Sequence, residues 1–206
     1  YLVANFDTDG DGEISKEEAL AITKIIVGTK DIESLAGIEH MANLTELRCE
    51  GPWSLFEPEE DPGKLKTLDV SKNVNLTILY CGFNQLTSLD VTNNPKIEQL
   101  RCAGNNLNSL DVSKNTELIE FEAYNNRLSS IDVSNNPELE YIDLTNNQIK
   151  SIDVSKNLKL GRITCSDNKL TSIDVTNNQK LTKLNISGNS IVEIDLGNNP
   201  ELNYLY

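Results

Sequence analysis

At 206 residues with 38% hydrophobic content, the chain is long enough to bury a core and is not a disordered tail. Its 32 acidic residues against 18 basic ones give a net charge of −14, which argues against nucleic acid or an anionic membrane as partner, because both are bound through basic surface. No apolar run approaches the roughly 20 residues of a membrane helix, and no signal peptide is visible. The chain starts at Tyr1 rather than Met, so a trimmed mature fragment is expected.

Residues 1–28 carry the first motif. DTDGDGEISKEE, residues 7–18, places carboxylates at loop positions one, three and five, glycine at six and glutamate at twelve. A hard cation needs six or seven converging oxygens. Asp7, Asp9 and Asp11 would each give one, Glu13 its backbone carbonyl, Ser15 a direct or water-borne contact and Glu18 both of its oxygens, while Gly12 allows the sharp turn. The loop resembles an EF-hand, which implies Ca2+. No second loop occurs, so Ile14 lacks the partner that paired EF-hands supply, and structural calcium ordering a cap is favoured over sensing. KEEALAITKIIVG reads as the exiting helix, with Leu20, Ile22, Ile25 and Ile26 available to pack and Gly28 as its stop.

Residues 29–64 form an irregular lead-in. IESLAGIEHMANLTELRC, residues 32–49, holds repeat-like leucines out of strict register, and EGPWSLFEPEEDPGK, residues 50–64, interrupts them with proline, acid and Trp53. That insert is either a loop tucked over a flank or a binding loop presenting Trp53 and Phe56. His40, also in the lead-in, is expected to be solvated or capping.

From residue 65 to 206 the chain repeats every 21 residues, in six full turns and a truncated one. The frame restarts at Leu65, Leu86, Leu107, Leu128, Ile149, Leu170 and Ile191, and each turn has two halves of the form LxxLx(V/C/L)xxN. Alternation around LxL indicates short strands, expected on both flat sides of the coil and paired in parallel between turns at about 4.8 Å. Asparagine columns starting at Asn73 and Asn84 are expected to satisfy backbone groups at the two bends. Cys49, Cys81, Cys102 and Cys165 follow no metal-ligand spacing and read as small apolar fillers.

These residues resemble the leucine-rich-repeat family, in particular the internalin-like surface proteins of bacteria, whose segment LxxLxLxxNxL is matched by LTILYCGFNQL, residues 76–86. The lead-in at residues 32–49 is similar to the start of an internalin repeat domain. The resemblance implies a leucine-rich-repeat solenoid with a small α-helical EF-hand-like cap. It further implies a non-enzymatic scaffold for a protein ligand, at a bacterial surface, in the periplasm or outside the cell.

Positions uniform in every turn serve the stack, and positions that vary are free for recognition. One flat side is uniform, with Ser88, Ser109, Ser130, Ser151 and Ser172 beside an Asp column that begins at Asp69. That column is open to two readings, a cation-binding or basic-partner surface and hydrogen bonding to neighbouring Ser and Thr. The other side varies, and its Tyr80, Phe83, Arg101, Glu122, Tyr124, Tyr141 and Arg162 make an aromatic and arginine mixture suited to a protein, with a glycan as second choice. No nucleophile elbow, phosphate loop or metal triad suggests an enzyme. The last turn ends at Tyr204, Leu205 and Tyr206 without a polar cap, so either residues are missing or that edge docks on something, a second copy being one candidate; a spacer or stalk segment of a larger surface protein is the alternative reading.

Overall fold

The computed structural model describes residues 2–52 and 62–206. Trp53 and Phe56 lie outside the described residues. The backbone makes nine short strands: β1 Lys24–Ile26, β2 Glu46–Arg48, β3 Ile78–Tyr80, β4 Gln99–Arg101, β5 Glu120–Glu122, β6 Tyr141–Asp143, β7 Arg162–Thr164, β8 Lys183–Asn185 and β9 Tyr204–Leu205. They join one parallel sheet in strict chain order. From β3 onward equivalent residues pair in register, Leu79 with Leu100 and Leu100 with Phe121. The 21-residue period is therefore the period of the solenoid.

Strands β2 to β8 each point the middle residue into the coil, so Leu47, Leu79, Leu100, Phe121, Ile142, Ile163 and Leu184 are all fully buried. Each such side chain contributes about 1.5–3 kcal/mol of burial. The residues on either side of it point outward, which is what leaves them free to differ between turns.

The expectation of strands on both flat sides needs correction. Among the described residues, strand pairing occurs only on the variable side. On the Ser and Asp side the backbone groups that would form a ladder are used locally. The Asp90 carboxylate accepts the Thr92 N–H at 2.9 Å, and the Val91 carbonyl accepts the Asn94 N–H and the Asn115 side-chain amide. Side-chain capture of this kind replaces sheet with turn.

Both bends are closed by asparagine, as expected. At the first, Asn94 Nδ2 donates to the Val70 and Asn73 carbonyls of the preceding turn at 3.0 and 2.8 Å. At the second, Asn105 Nδ2 donates to the Cys81, Cys102 and Ala103 carbonyls, while its Oδ1 accepts the Leu86 N–H. The four cysteines are buried and free, and burial pushes the Cys102 and Cys165 thiols up to about 12. They fill space, as expected of their positions in the repeat.

The amino end departs from expectation in one respect. After α1, Leu2–Phe6, the helix α2 spans only Lys16–Ala21, and β1 follows where the helix was expected to continue to Gly28. Ile22, Thr23, Ile25, Ile26 and Val27 form a β-branched run that favours strand, and Lys24 to Ile26 pair with Glu46 to Arg48. Ile22 and Ile25 are buried, but Leu20 and Ile26 are exposed. The solenoid thus starts at β1, inside the segment read as the calcium cap. Ile14, Leu2 and Phe6 pack against the solenoid core, so Ile14 finds in the coil the apolar contact that a second EF-hand would give.

The lead-in keeps the sheet but stretches the turn. Thr45 and Thr77, in equivalent places before β2 and β3, are 32 residues apart where later turns take 21. The ends of the insert meet: a Cβ on Gly51 would lie 2.5 Å from the Gly63 nitrogen and 1.7 Å from the Phe83 carbonyl oxygen. Only glycine fits such a crossing.

Candidate functional site

The outward residues of β1 to β5 form a continuous ribbon of charge and aromatic contact. Glu46 bridges Lys24 at 3.0 Å and Arg48 at 2.6 Å. The guanidiniums of Arg48 and Arg101 lie 4.6 and 4.5 Å from the centre of the Tyr80 ring. Arg101 in turn approaches Glu120 at 3.2 Å and Glu122 at 3.4 Å. Cation–π stacking of this kind is worth about 0.5–1 kcal/mol per pair at exposed sites. Tyr80 is buried, at 5% exposure, and its hydroxyl donates to Gln99 Oε1. It is therefore the strut between two arginines rather than the exposed ring that its place in the repeat suggests.

Farther along, Arg162 lies 5.2 Å from the Tyr141 ring centre, and the Tyr141 hydroxyl donates to Asp143 Oδ2 at 3.2 Å. Phe83 meets Tyr124 edge to face with ring centres 6.1 Å apart. Gly104 makes room for this arrangement, since a Cβ there would lie 2.6 Å from Phe83 Cδ1. The seven residues expected to form a recognition patch thus lie on one face, six of them at least partly exposed. Burial raises the Glu122 carboxyl against the pull of Arg101, and pushes the Tyr124 phenol up to about 12.

Sequence reasoning missed Lys24, Glu46, Arg48 and Glu50, which precede the regular register. A signal existed: Leu47, Arg48 and Cys49 repeat the Leu100, Arg101 and Cys102 triplet.

The Asp column on the uniform side closes turns. Asp69, Asp111, Asp132 and Asp153 each accept the N–H of the serine two residues on, at 2.8–2.9 Å. Those bonds hold the carboxyls below their usual range. Hydrogen bonding to neighbouring Ser and Thr accounts for the column.

At the amino end, carboxylate oxygens of Asp7, Asp9 and Asp11 lie within 4.8 Å of one another. Asp7 accepts from the Gly10 and Gly12 N–H groups, and both glycines have positive φ. Ser15 caps α2 and forms a capping box with Glu18. Glu18 Oε1 also accepts from the Thr8 hydroxyl at 2.7 Å. These bonds from Thr8 and Ser15 lower the Glu18 carboxyl to about 2 and hold it outside the Asp group. The oxygen donors suit calcium, with Asp7, Asp9 and Asp11 gathered and Glu18 turned to its cap.

Among the described residues no helix is long and apolar enough to cross a membrane.

Residues 116–157 match the profile of the Leucine Rich repeats (2 copies) family. The sequence finds no match among curated proteins. In structure the chain is similar to the functional domain of InlJ from Listeria monocytogenes, described as including a cysteine ladder, with 26% identity and a TM-score of 0.53. That likeness covers 93% of this chain and 54% of the other, so the chain spans about half of that domain. Internalin C2 from Listeria monocytogenes has a TM-score of 0.77 at 17% identity, covering 94% of this chain and 84% of its own. The internalin InlF from the same organism has a TM-score of 0.59 at 21% identity, covering 100% of this chain and 79% of its own. The chain has the leucine-rich-repeat fold, its structural likeness is to internalins, and that fold is typical of protein-binding scaffolds.

Proposed function

We propose that this chain is a non-enzymatic scaffold of a bacterial surface or secreted protein, and that it recognises a protein ligand through the outward residues of β3 to β7. The observation that carries this reading is the contrast between the two sides. Seven turns hold Asp, and five of them Ser, in fixed places on one side, while the strand side gathers Tyr124, Tyr141, Arg101 and Arg162 in preset contacts. Aromatic and arginine side chains held in place lose little entropy on binding, which is what an interface requires. A glycan is the second ligand class, since flat aromatic faces also stack on sugars.

Calcium on residues 7–18 would serve this reading as structural support. Asp7, Asp9, Asp11, the Glu13 carbonyl and Ser15 would hold it, with Glu18 turning from its Thr8 and Ser15 bonds to join them, and so fix the cap that covers the first turn. The alternative reading is a structural spacer or stalk segment of a larger surface protein, with no ligand of its own. The experiment is a binding screen of the immobilised chain against extracellular proteins and polysaccharides, with calcium and with chelator, beside a variant carrying Tyr124→Ala, Tyr141→Ala and Arg162→Ala. A ligand retained by the chain and lost by the variant supports the face; a ligand bound equally by both rejects it.

A further inference from the structure

At the leading ends of β5 to β8 the strand side is indented. Thr45, Thr77, Glu98, Ile119, Glu140 and Thr182 hold equivalent places just before their strands, and at this place in its own turn Gly161 has no side chain. The gap leaves a notch of about 500 Å³ bordered by Tyr141, Lys159, Arg162, Lys180 and Thr182. From this geometry we infer that the notch receives an aspartate or glutamate side chain of the protein ligand, its carboxylate between Arg162 and Lys180. The inference rests on the protein-binding reading of this face and names the chemistry that one part of it reads.

The backbone does not require that glycine. Its φ lies outside the left-handed region, and a Cβ would meet only the Lys180 and Glu140 carbonyl oxygens, at 3.6 and 3.9 Å, which is ordinary contact. Its N–H donates to the Glu140 carbonyl at 2.9 Å and its own carbonyl accepts the Thr182 N–H at 2.8 Å, the same ladder that Glu140 makes with Ile119 one turn earlier. Crowding holds Gly51 and Gly104 to glycine, but not Gly161. Glycine weakens an extended run and allows close approach of a ligand, so open space is what this position supplies.

Charge selects the occupant. Lys159, Arg162, Lys180 and Lys183 fall on two adjacent turns of a chain whose net charge is −14. Lys159 is bridged to Glu138, and the Arg162 guanidinium rests 5.2 Å from the centre of the Tyr141 ring. Among the described residues neither Arg162 nor Lys180 makes an ion pair. Two carboxylates also border the notch: Glu120 is taken by Arg101 at 3.2 Å, and Glu140 is exposed without an ion pair. Two unpaired cations therefore stand against one unpaired carboxylate, with Lys183 in register beside Arg162. An ammonium would add to that excess, whereas a carboxylate offsets it and accepts from a guanidinium already set in place by Tyr141. A long acidic glycan fits poorly, because the basic stretch is two turns deep and is flanked by Glu117, Glu120 and Glu138 on one side and Glu201 on the other. A single acidic side chain of a protein matches its extent.

The test is an NMR titration of the ¹⁵N-labelled chain with Nα-acetyl-glutamate methylamide, with the glutamine and lysine counterparts as controls and trigalacturonate as the acidic-glycan arm. The glutamate probe is expected to give saturable shifts at the Gly161, Arg162 and Thr182 amides, with neither control doing so and trigalacturonate binding no more tightly. Gly161→Thr puts into the gap the side chain that Thr77 and Thr182 carry in their turns, and is expected to abolish the response without lowering Tm. Lys180→Gln, on exposed surface, is expected to weaken the response by about two- to fivefold with Tm unchanged. No response to glutamate, an equal response to glutamine or lysine, tighter binding of trigalacturonate, or an unchanged response in either variant would overturn the notch. A fall in Tm in Gly161→Thr would overturn it too, since glycine would then be a need of the backbone. A protein ligand that still depends on Tyr124 and Tyr141 while the glutamate probe is silent overturns the notch alone and leaves the wider face standing.

Discussion

The guanidinium of Arg101 stacks on the ring of Tyr80 at 4.5 Å, and the same ring carries Arg48 on β2. One tyrosine therefore couples the irregular lead-in to the regular repeats. Tyr80→Leu keeps an apolar filler but removes both cation–π contacts, and is expected to lower stability by about 1–2 kcal/mol. Tyr80→Phe loses only the hydroxyl bond to Gln99 and should cost about 0.5–1.5 kcal/mol. Urea denaturation of the two variants separates stacking from hydrogen bonding.

The first asparagine column is expected to tolerate neither shortening nor charge. Asn115 sits in mid-stack, fully buried, with Nδ2 donating to Val91 and Asn94 carbonyls at 3.0 and 2.9 Å. Asn115→Ala should cost about 1–3 kcal/mol. Asn115→Asp should cost more at neutral pH, because an ionised carboxylate has no proton to donate to those carbonyls. Equal loss in the two variants would mean that side-chain volume, not donation, is what the bend needs.

Acid should act with opposite sign on the Asp column and on the pair Glu50 and Glu122. Asp69, Asp90, Asp111, Asp132, Asp153 and Asp174 are held low by the hydrogen bonds they accept from Ser or Thr two residues on. Folded values below the unfolded one, about 3.9, mean stabilisation that is complete above that pH and is lost as pH falls through the folded values. Glu50 and Glu122 are raised by burial, so their cost at neutral pH is relieved as pH falls toward the unfolded glutamate value of about 4.3. Tm is expected to hold or rise slightly on mild acidification and then to drop below pH of about 4. Glu50→Gln should raise Tm at neutral pH and flatten the rise; a monotonic fall from pH 7 would contradict the sign given to the glutamates.

Calcium should raise Tm if the amino-terminal loop binds it. At a hundredfold excess over Kd the gain is about 2.7 kcal/mol, and Asp9→Asn with Asp11→Asn should abolish it. Scanning fluorimetry with calcium and with chelator reads this directly. An unchanged Tm in the unsubstituted chain would leave the loop as an acidic turn held by its own Asp7 and Glu18 bonds.

Much of the fold was legible because each repeat repeats its physics. Leu79, Leu100 and Phe121 fall on one column in sequence and on one buried row in space, and the asparagines marked both bends. The missing strands on the uniform side were not legible, because LxL with alternating burial suits any extended segment. What decides the matter is the capture of the Thr92 and Ser113 N–H groups by Asp90 and Asp111, a local competition that period alone cannot weigh. The early end of α2 had a readable cause in the β-branched residues after Ala21, hidden by the helix that follows most calcium loops. The binding face was readable as a set of varying positions, but the burial of Tyr80 and the part played by Glu50 came only with neighbours from turns that break the register.

The most direct test of the central claim compares two triple variants against a protein ligand recovered in the screen. One carries Tyr124→Ala, Tyr141→Ala and Arg162→Ala on the strand side; the other carries Ser109→Ala, Ser130→Ala and Ser151→Ala on the uniform side. The strand-side variant is expected to bind about a hundredfold more weakly, with the serine-side variant matching the original chain. Unchanged affinity in the first, or a loss confined to the second, would contradict the assignment of the variable face as the recognition surface.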